Sequence, residues 1–469
     1  MQASHLPDSF ADKNVCILGL GFVGLTLATV MADVGFNIIG IETRDEVLTL
    51  LKSGDPHFFE PGLSNHLKHA LNKGHLTVFK KIPANCIATV YIVTVGTPLS
   101  QSGRVNLDSV INIANEIAAG LKDGDMIIMR STLKLGTTRN VVKPILDKTG
   151  KNYSIAFCPE RTVEGQAISE LRYLPQIIGA DDLHTSNRAA QLFQMITPTV
   201  VRVSDYETGE MIKLIDNAKR DVMFGYANEV ARLCDAVGIS AEEVITSGRF
   251  GYSRTDLPMP GPVGGPCLSK DSHILAESFE TYGISPAITV AARNVNENQP
   301  NEIAEFLHHT LKQDTFPAAL KIAFLGIAFK GQPETDDVRG TVAKEIIDAL
   351  VAKFPKAVCH GYDPVVAAEA IAEFGLTPES TLEAATQNAH LVVIMNNHSV
   401  FAKMPLEALA QHMAKPAIIY DFWNLFIRSR LQLPVGIQYI ALGSHQCPIK
   451  GIESPYKTAG TVSKEEIVA

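Results

Sequence analysis

The strongest constraint on the fold is a glycine-rich turn near the amino terminus, set between a strand pattern and a helix pattern. Residues 15–18 are a short apolar run of the kind that forms a buried parallel strand. The hexapeptide GLGFVG at residues 19–24 follows directly and opens a helical pattern over residues 25–34. In such a turn the first glycine permits a tight bend, the second lets the backbone approach a pyrophosphate, and the third allows helix and strand to pack closely. The sequence therefore predicts a dinucleotide-binding α/β unit here.

A carboxylate at the end of the second predicted strand bears on which dinucleotide binds. Glu42 follows Gly24 by 18 residues, a position from which a carboxylate accepts hydrogen bonds from both ribose hydroxyls of NAD. Arg44 lies close by and suits a 2′-phosphate, so NADP stays open as the alternative. Two hydroxyl residues follow later strands, at the sheet edge where ligands bind, although loop capping explains each equally well. The predicted NAD site comprises Gly19, Gly21, Phe22, Val23, Gly24, Glu42, Arg44, Thr97 and Thr132.

Strand and helix patterns divide the chain into three predicted domains. Over residues 1–204 apolar runs alternate with helical stretches, which is typical of a doubly wound parallel sheet. Residues 205–315 carry helices, the first of them long, with a capping box of Ser204 and Glu207 at its start and Gly238 at its end. Strand patterns return over residues 316–445. The predicted fold class is α/β, with two Rossmann-like parallel-sheet domains joined by a helical middle domain and followed by a polar tail at 446–469.

Composition limits the partners that the chain is expected to take. The 469 residues include 41 Lys plus Arg and 50 Asp plus Glu, for a formal charge of −9, so no general affinity for nucleic acid is expected. The 7 cysteines are an odd number without a CxxC pair, which argues against a disulfide framework and a structural zinc site. We predict no metal site, signal peptide or membrane span. A cytoplasmic protein with reduced thiols fits this composition best.

The stretch GGPCLSKD at residues 264–271 is the most suggestive of chemistry. It follows the proline-rich segment PMPGP at 258–262, which predicts a tight loop. Cys267 is predicted at the start of a helix, where the positive end of the dipole lowers a thiol pKa. Asp271 lies one helical turn further, on the same face. A small buried residue is the ordinary alternative for any single cysteine, but the loop favours a nucleophile.

Two other polar groupings suit oxyanion or acid–base chemistry. Lys213, Asn217 and Arg220 share one stripe of the long helix. A lysine and an asparagine on one face suit an oxyanion, although spacing alone fits a solvated face better. Glu160 and Glu164 follow a strand within CPERTVEG at 158–165 and suit general acid–base work, whereas composition alone indicates only a charged loop.

Taken together, the motifs resemble those of the UDP-glucose/GDP-mannose dehydrogenase family of nucleotide-sugar 6-dehydrogenases. The resemblance covers about residues 13–440. It rests on the ordered motifs GLGFVG, VGTP, RST, CPE followed by EG, a KxxxN helix, GGPCLSKD and GIAFKGQPETDDVRG. It implies oxidation of a sugar C6 hydroxyl to a carboxylate with two NAD+. It also implies that Cys267 is the nucleophile and that the reaction proceeds through a thiohemiacetal and then a thioester on this cysteine.

The resemblance assigns roles to further residues. Lys213 and Asn217 match residues that steady the oxyanion, and Asp271 matches one that activates water with Lys213. Glu164 matches a carboxylate near the reacting centre, and Glu160 a carboxylate of the substrate loop. The remaining matches are Thr132 near water and nicotinamide, Arg339 at the cofactor, and Gly264, Phe329 and Lys330 at the substrate.

The resemblance further implies a homodimer. The family dimerises through the long middle helix, and Arg254 matches an arginine that is lent to a neighbouring subunit's active site. The apolar residues offered for the dimer are Met211, Leu214, Ile215 and Val222.

The sugar is less well determined by the motifs. Members that act on 2-acetamido sugars tend to have arginine after CPE, as Arg161 does here, and a guanidinium suits an acetamido carbonyl or a phosphate. Glu164 is a feature that many of those members lack. We therefore expect a UDP-N-acetylhexosamine, with UDP-N-acetylmannosamine favoured and UDP-glucose as the alternative, and a uronate product for surface polysaccharide.

Two rival functions are weighed against this one. A single-hydride β-hydroxyacid dehydrogenase shares the first two domains in outline but needs neither GGPCLSKD nor residues 316–445. A non-catalytic nucleotide-sugar sensor would be signalled by loss of Cys267, Lys213 or Asp271, and all three are present.

Overall fold

A computed structural model describes residues 6, 7, 9–100, 102–312 and 316–445. Two compact units can be distinguished in it. The first contains residues up to Lys219 together with Cys267–Val290 and Pro333–Thr335, and the second contains Arg220–Pro266, Ala291–Gln332 and residues from Asp336 onward. The helices of the predicted middle domain are divided between these units, so its boundaries stay a prediction. The predicted tail at 446–469 lies outside the described residues.

The described residues of the first unit form a sheet of eight strands. These are β1 (Asn14–Leu18), β2 (Asn37–Ile41), β3 (Leu76–Phe79), β4 (Val90–Val93), β5 (Met126–Met129), β6 (Ser154–Phe157), β7 (Gln176–Gly179) and β8 (Val200–Val203). Their order in the sheet is β3-β2-β1-β4-β5-β6-β7-β8. Neighbours are parallel, except that β6 and β7 pair antiparallel. Because β1 lies between β2 and β4, the strand order reverses beside it, and ligands bind at such a switch point.

Apolar burial explains which of these strands the sequence predicted. The strands β1, β4 and β5 are mostly apolar and almost wholly buried, as a parallel sheet covered on both faces requires. The edge strand β3 alternates buried and exposed positions over four residues. Its pattern was too short to be recognised in the sequence, so the prediction missed it.

The helices and helical turns up to residue 312 belong in part to the first unit and in part to the second. They are α1 (Phe22–Val34), α2 (Asp45–Ser53), α3 (Leu63–Asn72), α4 (Asp108–Gly120), a π-helical turn (Thr138–Val142), α5 (Lys143–Asp147), α6 (Ala167–Glu170), α7 (Leu183–Gln194), α8 (Tyr206–Val237), α9 (Ala241–Arg249), α10 (Leu268–Phe279), a 3₁₀ turn (Glu280–Tyr282) and α11 (Ala287–Lys312).

The long helix α8 corrects the predicted start and confirms the predicted stop. Asp205, not Ser204, caps the helix, because its Oδ1 accepts the N–H of Thr208 at 2.7 Å. Glu207 pairs with Arg139 and does not return to Ser204. At the other end Gly238 has a φ of +75°, which L side chains rarely adopt, and the helix stops before it.

The second unit contains a six-stranded parallel sheet among its described residues. Its strands are β9 (Lys321–Leu325), β10 (Val358–Tyr362), β11 (Thr377–Pro378), β12 (Leu391–Ile394), β13 (Ala417–Asp421) and β14 (Ile437–Ala441). Their order is β11-β10-β9-β12-β13-β14, with every pair parallel. The flanking helices are α12 (Val342–Lys353), α13 (Ala368–Ala372), α14 (Leu382–Thr386), α15 (Ser399–Ala402), α16 (Leu406–Gln411) and a 3₁₀ turn (Arg428–Arg430). The predicted second Rossmann-like sheet is thus confirmed, with edge strands β11 and β14 added.

No helix in the described part of the chain is long and apolar enough to cross a bilayer.

Candidate active site

The glycine turn has the shape that a dinucleotide pyrophosphate requires. Gly19 follows β1 with a φ of +96°, and Gly21 immediately precedes α1. A Cβ at Gly24 would come within 2.0 Å of the Gly19 oxygen, whereas a Cβ at Gly21 would meet nothing within 4 Å. The third glycine is therefore required for packing, and the second leaves open space in front of the helix N-terminus. The N–H groups and dipole of α1, with Phe22 and Val23 in its first turn, fit an anionic cofactor group.

Glu42 and Arg44 bind each other at the end of β2. The Arg44 N–H and Nε both donate to Glu42 Oε1 at 3.0 Å, and Nη2 donates to Oε2 at 3.1 Å. Burial alone would raise the pKa of Glu42, but the hydrogen bonds from Arg44 outweigh it and the pKa is lowered. A buried, ionised carboxylate is thus held where the sequence predicts contact with ribose. The Arg44 guanidinium is occupied by this ion pair.

The loops after β4 and β5 are joined at the carboxyl edge of the sheet. Thr97 Oγ1 donates to the carbonyl oxygen of Thr132 at 2.7 Å, and Ser131 Oγ donates to the carbonyl of Val95 at 2.6 Å. The two predicted cofactor residues, Thr97 and Thr132, therefore lie side by side. Thr97 uses its hydroxyl to fix the backbone that presents Thr132.

Cys267 occupies the position that the sequence predicts for it. It is the residue that precedes α10, and the N–H of Asp271 bonds to the Cys267 carbonyl at 2.9 Å. Solvent reaches this cysteine, unlike Cys16, Cys86, Cys158 and Cys234, which are buried. Accessibility at a helix N-terminus is what a nucleophile needs.

The pKa of the Cys267 thiol differs from the expectation of a helix-lowered value. The surrounding protein desolvates the thiolate, and this raises the pKa above its ordinary value of 9.0 even though solvent reaches the residue. The Asp271 charge raises it further, while Lys213 and Lys270 lower it and Glu164 raises it. The carboxylates near the sulfur thus oppose the helix dipole and the two lysines.

Helix α8 presents Lys213 and Asn217 from one buried face. Each side chain is buried, and Asn217 Nδ2 donates to Asp271 Oδ2 at 2.6 Å. Within the described residues the Lys213 ammonium makes no hydrogen bond or ion pair, and its charge acts on both Cys267 and Glu160. Leu214 and Ala218 on the adjoining face pack against α10, and this packing brings the two helices together. Arg220, the third member of the predicted stripe, is exposed and belongs to the second unit.

The Glu160 carboxylate is bound both by Arg130 and by backbone amides of its own loop. Its Oε2 accepts the Nε of buried Arg130 at 3.1 Å, and its Oε1 accepts the N–H groups of Arg161 and Thr162 at 2.7 and 2.8 Å. Burial alone would raise the pKa of Glu160, but Arg130 and these hydrogen bonds lower it. The carboxylate therefore shapes the loop, and its predicted contact with substrate remains a prediction.

Arg161 and Glu164 lie in the same loop but differ in surroundings. Arg161 Nη2 donates to the carbonyl of Pro175 at 2.7 Å, and Nη1 lies 3.6 Å from a carboxylate oxygen of Asp216. Glu164 stands close enough to Cys267 for its charge to raise the thiol pKa. Of the two, Glu164 is the residue that the structure brings to the cysteine.

The predicted substrate residues of the second unit are packed around one aromatic ring. A Cβ at Gly265 would come within 2.4 Å of the Phe329 ring, and one at Gly264 within 2.6 Å of the Gly340 oxygen. Both glycines are thus explained by close packing. The Phe329 N–H bonds to the Asp337 oxygen at 3.0 Å, and the Lys330 ammonium lies 5.4 Å from the Phe329 ring centre.

Two predicted arginines of the second unit lie at its surface. Arg339 donates from Nε and Nη2 to Asp337, at 2.9 and 2.6 Å from the nearer oxygens. Arg254 is exposed, and its guanidinium lies 5.0 Å from the centre of the Tyr252 ring. Neither arrangement tests the predicted contacts with cofactor or a second subunit.

Sequence reasoning missed three residues of this site. Lys270 binds Asp271 Oδ1 at 2.8 Å. It lies within the GGPCLSKD stretch, so its charge beside Cys267 and Asp271 could have indicated a role in the site. Arg130 begins the RST motif, yet nothing in the sequence showed that it would pair with Glu160. Glu60 accepts the N–H groups of Gly165 and Ala167 from more than a hundred residues away, a contact that only the fold reveals.

Comparison with known proteins agrees with the geometry of each unit. Three family models match the chain: the NAD binding domain at residues 13–197, the central domain at 207–298 and the UDP binding domain at 323–428, all of the UDP-glucose/GDP-mannose dehydrogenase family. The chain belongs to this family. It is accordingly an NAD-dependent nucleotide-sugar dehydrogenase, an oxidoreductase whose cofactor is NAD.

Individual relatives in the family extend over most of the chain. A protein of Methanococcus aeolicus named UDP-N-acetyl-D-mannosamine dehydrogenase is 31% identical over 88% of this chain and 91% of its own length. A solved UDP-D-ManNAc dehydrogenase of Pyrococcus horikoshii has a TM-score of 0.83 and 29% identity, over 92% of this chain and all of that one. A UDP-glucose dehydrogenase of Pyrobaculum islandicum shares the fold, with a TM-score of 0.81 at 23% identity over 94% of this chain and all of that one. The fold is therefore common to enzymes named for different sugars.

Proposed function

We propose that this chain oxidises the C6 hydroxyl of UDP-N-acetylmannosamine to a carboxylate, with reduction of two NAD+. The observation that carries the proposal is the grouping of Cys267, Lys213, Asn217 and Asp271 in a chain 31% identical to an enzyme named for this substrate. A thiol beside a buried ammonium suits a route in which the aldehyde never leaves the enzyme.

In the first oxidation, different side chains bind the cofactor, stabilise the developing negative charge and take up the proton. NAD, held by the Gly19–Gly24 turn and Glu42, supplies the hydride acceptor when bound. As hydride leaves C6, the hydroxyl proton is lost and negative charge develops on oxygen. The buried Lys213 ammonium and the buried Asn217 amide are the groups proposed to stabilise that charge. Glu164, the carboxylate nearest to Cys267 in this loop, is the candidate for the group that positions water or takes the proton.

Cys267 carries the second oxidation. Its thiolate adds to the aldehyde carbon, so a C–S bond forms and the carbonyl oxygen takes up a proton to give a thiohemiacetal. Loss of a second hydride and that proton gives a thioester. Asp271, bound by Asn217 and Lys270, orients the water that adds to the thioester carbon. The C–S bond then breaks, the carboxylate leaves, and the thiolate is regenerated.

The choice of sugar rests on the loop at Arg161. The guanidinium has five N–H donors, of which those bound to Pro175 and facing Asp216 are only part. The remainder can bind an acetamido carbonyl. UDP-glucose is the second candidate, because Glu164 is retained in this loop, and the same fold occurs in a protein named UDP-glucose dehydrogenase.

The decisive experiment measures NADH formed per molecule of sugar supplied in limiting amount. UDP-N-acetylmannosamine, UDP-N-acetylglucosamine and UDP-glucose are each offered with excess NAD+. The proposal predicts two NADH per UDP-N-acetylmannosamine, with the uronate identified by mass spectrometry. One NADH per sugar would overturn the covalent route, and two NADH from UDP-glucose alone would overturn the choice of sugar.

A homodimer and a cytoplasmic setting complete the proposal. Within the predicted apolar set Leu214 is buried in its own unit, but Ile215 is exposed, and so are Tyr226, Leu233 and Val237 further along α8. An exposed apolar row on a long helix suits pairing with a second copy. Exposed Arg254 is the candidate for reaching the partner's site. The six cysteines within the described residues are free, which fits a reducing compartment.

A further inference from the structure

A short segment of the first unit, His57 to Glu60, contacts the cofactor turn at one end. The Phe58 ring lies 5.0 Å from the ring of Phe22, the residue that opens α1 after the glycine turn. His57 Nε2 lies 3.4 Å from the guanidinium of Arg44, which in turn binds Glu42. The segment therefore touches both the phosphate end and the ribose end of the NAD site.

The other end of the segment holds the loop that carries Glu164. Glu60 is 5% exposed, and its two carboxylate oxygens accept the N–H groups of Gly165 at 2.7 Å and Ala167 at 2.8 Å. Gly165 directly follows Glu164. Without Glu60 these two amides would lose their hydrogen-bond acceptor, and an unsatisfied amide in a buried place costs free energy. The loop conformation therefore depends on this carboxylate.

The loop has little room to adopt another shape. Gly165 has a φ of +89°, and a Cβ there would come within 2.7 Å of Pro333 and 2.8 Å of the Glu334 oxygen. Pro333 and Glu334 thus pack closely against the backbone at Gly165. The Glu60 carboxylate binds the amides that follow Glu164, and we therefore expect it to determine the orientation of Glu164 relative to Cys267.

We propose that Glu60 is a positioning residue that sets Glu164 and, through His57 and Phe58, couples occupation of the NAD site to the order of the substrate loop. This inference rests on the proposed function for the role of Glu164. Because only two residues separate His57 from Glu60, movement of the aromatic pair is transmitted to the carboxylate. Such coupling is reciprocal. If bound NAD+ increases the affinity for substrate by some factor, bound substrate increases the affinity for NAD+ by the same factor.

The test compares Glu60→Gln with Glu170→Gln. Glu170 Oε2 accepts the N–H of Val163 at 2.7 Å. Each variant therefore neutralises a carboxylate that binds a backbone amide of the same loop, but Glu60 also lies in the segment that contacts the cofactor turn. Each is made with and without Cys267→Ser, which stops turnover for binding measurements. The dissociation constant of NAD+ is measured by calorimetry with and without saturating UDP-N-acetylmannosamine, and kcat and KM are measured on the turnover-competent forms.

We expect the wild-type site to bind NAD+ at least fivefold more tightly with the sugar nucleotide present. In Glu60→Gln this ratio should fall to about one and kcat should fall at least tenfold, while Glu170→Gln keeps the ratio. A ratio of one in the wild type, an unchanged ratio in Glu60→Gln, or an equal loss in both variants would overturn the proposal.

Two additional measurements keep the result interpretable. If Glu60→Gln does not fold, as judged by its melting curve, Phe58→Leu replaces it, since it removes the ring contacts of Phe58 with Phe22 and His57 and leaves the Glu60 carboxylate in place; an unchanged ratio there would overturn the coupling. Failure of the proposed function is recognised separately, because a wild-type protein that yields no NADH from any of the three sugars still gives a binding ratio with UDP-N-acetylmannosamine.

Discussion

Asn217 donates a hydrogen bond from Nδ2 to Oδ2 of Asp271 at 2.6 Å, across 54 residues of sequence. The bond joins α8 to α10 one turn after Cys267, and the second oxygen of Asp271 is bound by Lys270 at 2.8 Å. Each Asp271 oxygen thus has a donor in a fully buried setting. The carboxylate is held in one orientation beside the thiol.

Replacing Cys267 by serine should abolish uronate formation. The hydroxyl is far less nucleophilic than a thiolate, so we expect turnover to fall by about 10⁴-fold or more. NAD+ binding should be retained, because the glycine turn and Glu42 are untouched. Cys158→Ser is the matched control, since that cysteine is buried. A Cys267→Ser enzyme that still makes uronate at the wild-type rate would show that Cys267 is not the nucleophile.

Asp271→Asn should make the Cys267 thiol easier to alkylate at a given pH. The raised pKa of Cys267 leaves little thiolate near neutrality, so the iodoacetamide rate of the wild type should climb through pH 9. Asp271 raises this pKa, so its neutralisation lowers the pKa and speeds alkylation. Lys270→Met should do the opposite, because the lysine lowers the pKa. Equal alkylation profiles in all three proteins would contradict the electrostatic account, whatever their turnover.

Lys213→Met should slow both hydride transfers. Loss of one oxyanion donor costs about 10²- to 10³-fold in kcat, and methionine keeps the length and packing of the stem. Lys219→Met is the control, since that lysine lies exposed on the same helix. Single-turnover stopped-flow measurement of NADH separates the two steps; a burst of normal rate in Lys213→Met would place the oxyanion elsewhere.

Arg161→Phe should weaken the preference for acetamido sugars. The variant loses the donors proposed for the acetamido carbonyl together with the bond to the Pro175 carbonyl. We expect the ratio of kcat/KM for UDP-N-acetylmannosamine over UDP-glucose to fall about tenfold, as loss of a polar contact of 1–2 kcal/mol implies. Asp216→Ala, which frees Arg161 from its ion-pair partner, should keep the ratio. An Arg161→Phe enzyme with the wild-type ratio would show that other residues select the sugar.

Leu233→Glu should convert a dimer to monomers. Leu233 is 61% exposed on α8, so the charge does not disturb folding of one subunit but is buried on pairing, which is costly. Leu183→Glu, on the 70% exposed first residue of α7, is the control. Light scattering gives the mass of each; a Leu233→Glu protein that remains dimeric would place the interface away from this row.

Much of the fold and part of the site followed from local sequence. The GLGFVG turn predicted its own backbone, because only glycine suits a φ of +96° at Gly19 and the contact of Gly24 with the Gly19 oxygen. The apolar runs of β1, β4 and β5 predicted their strands because both faces are buried. The loop and spacing around Cys267 predicted a helix that begins there, and it does.

Tertiary structure decided what those residues do to one another. The sequence suggested that a helix N-terminus lowers the thiol pKa, but desolvation and the nearby carboxylates raise it. The resemblance assigned Glu160 to the substrate loop, which stays a prediction, and only the fold showed that Arg130 and two backbone amides bind its carboxylate. Nothing in the sequence indicated Glu60. Local geometry depends on a few neighbouring torsions, so short motifs are enough to predict it. Burial, charge balance and hydrogen-bond partners depend on residues that only the folded chain brings together.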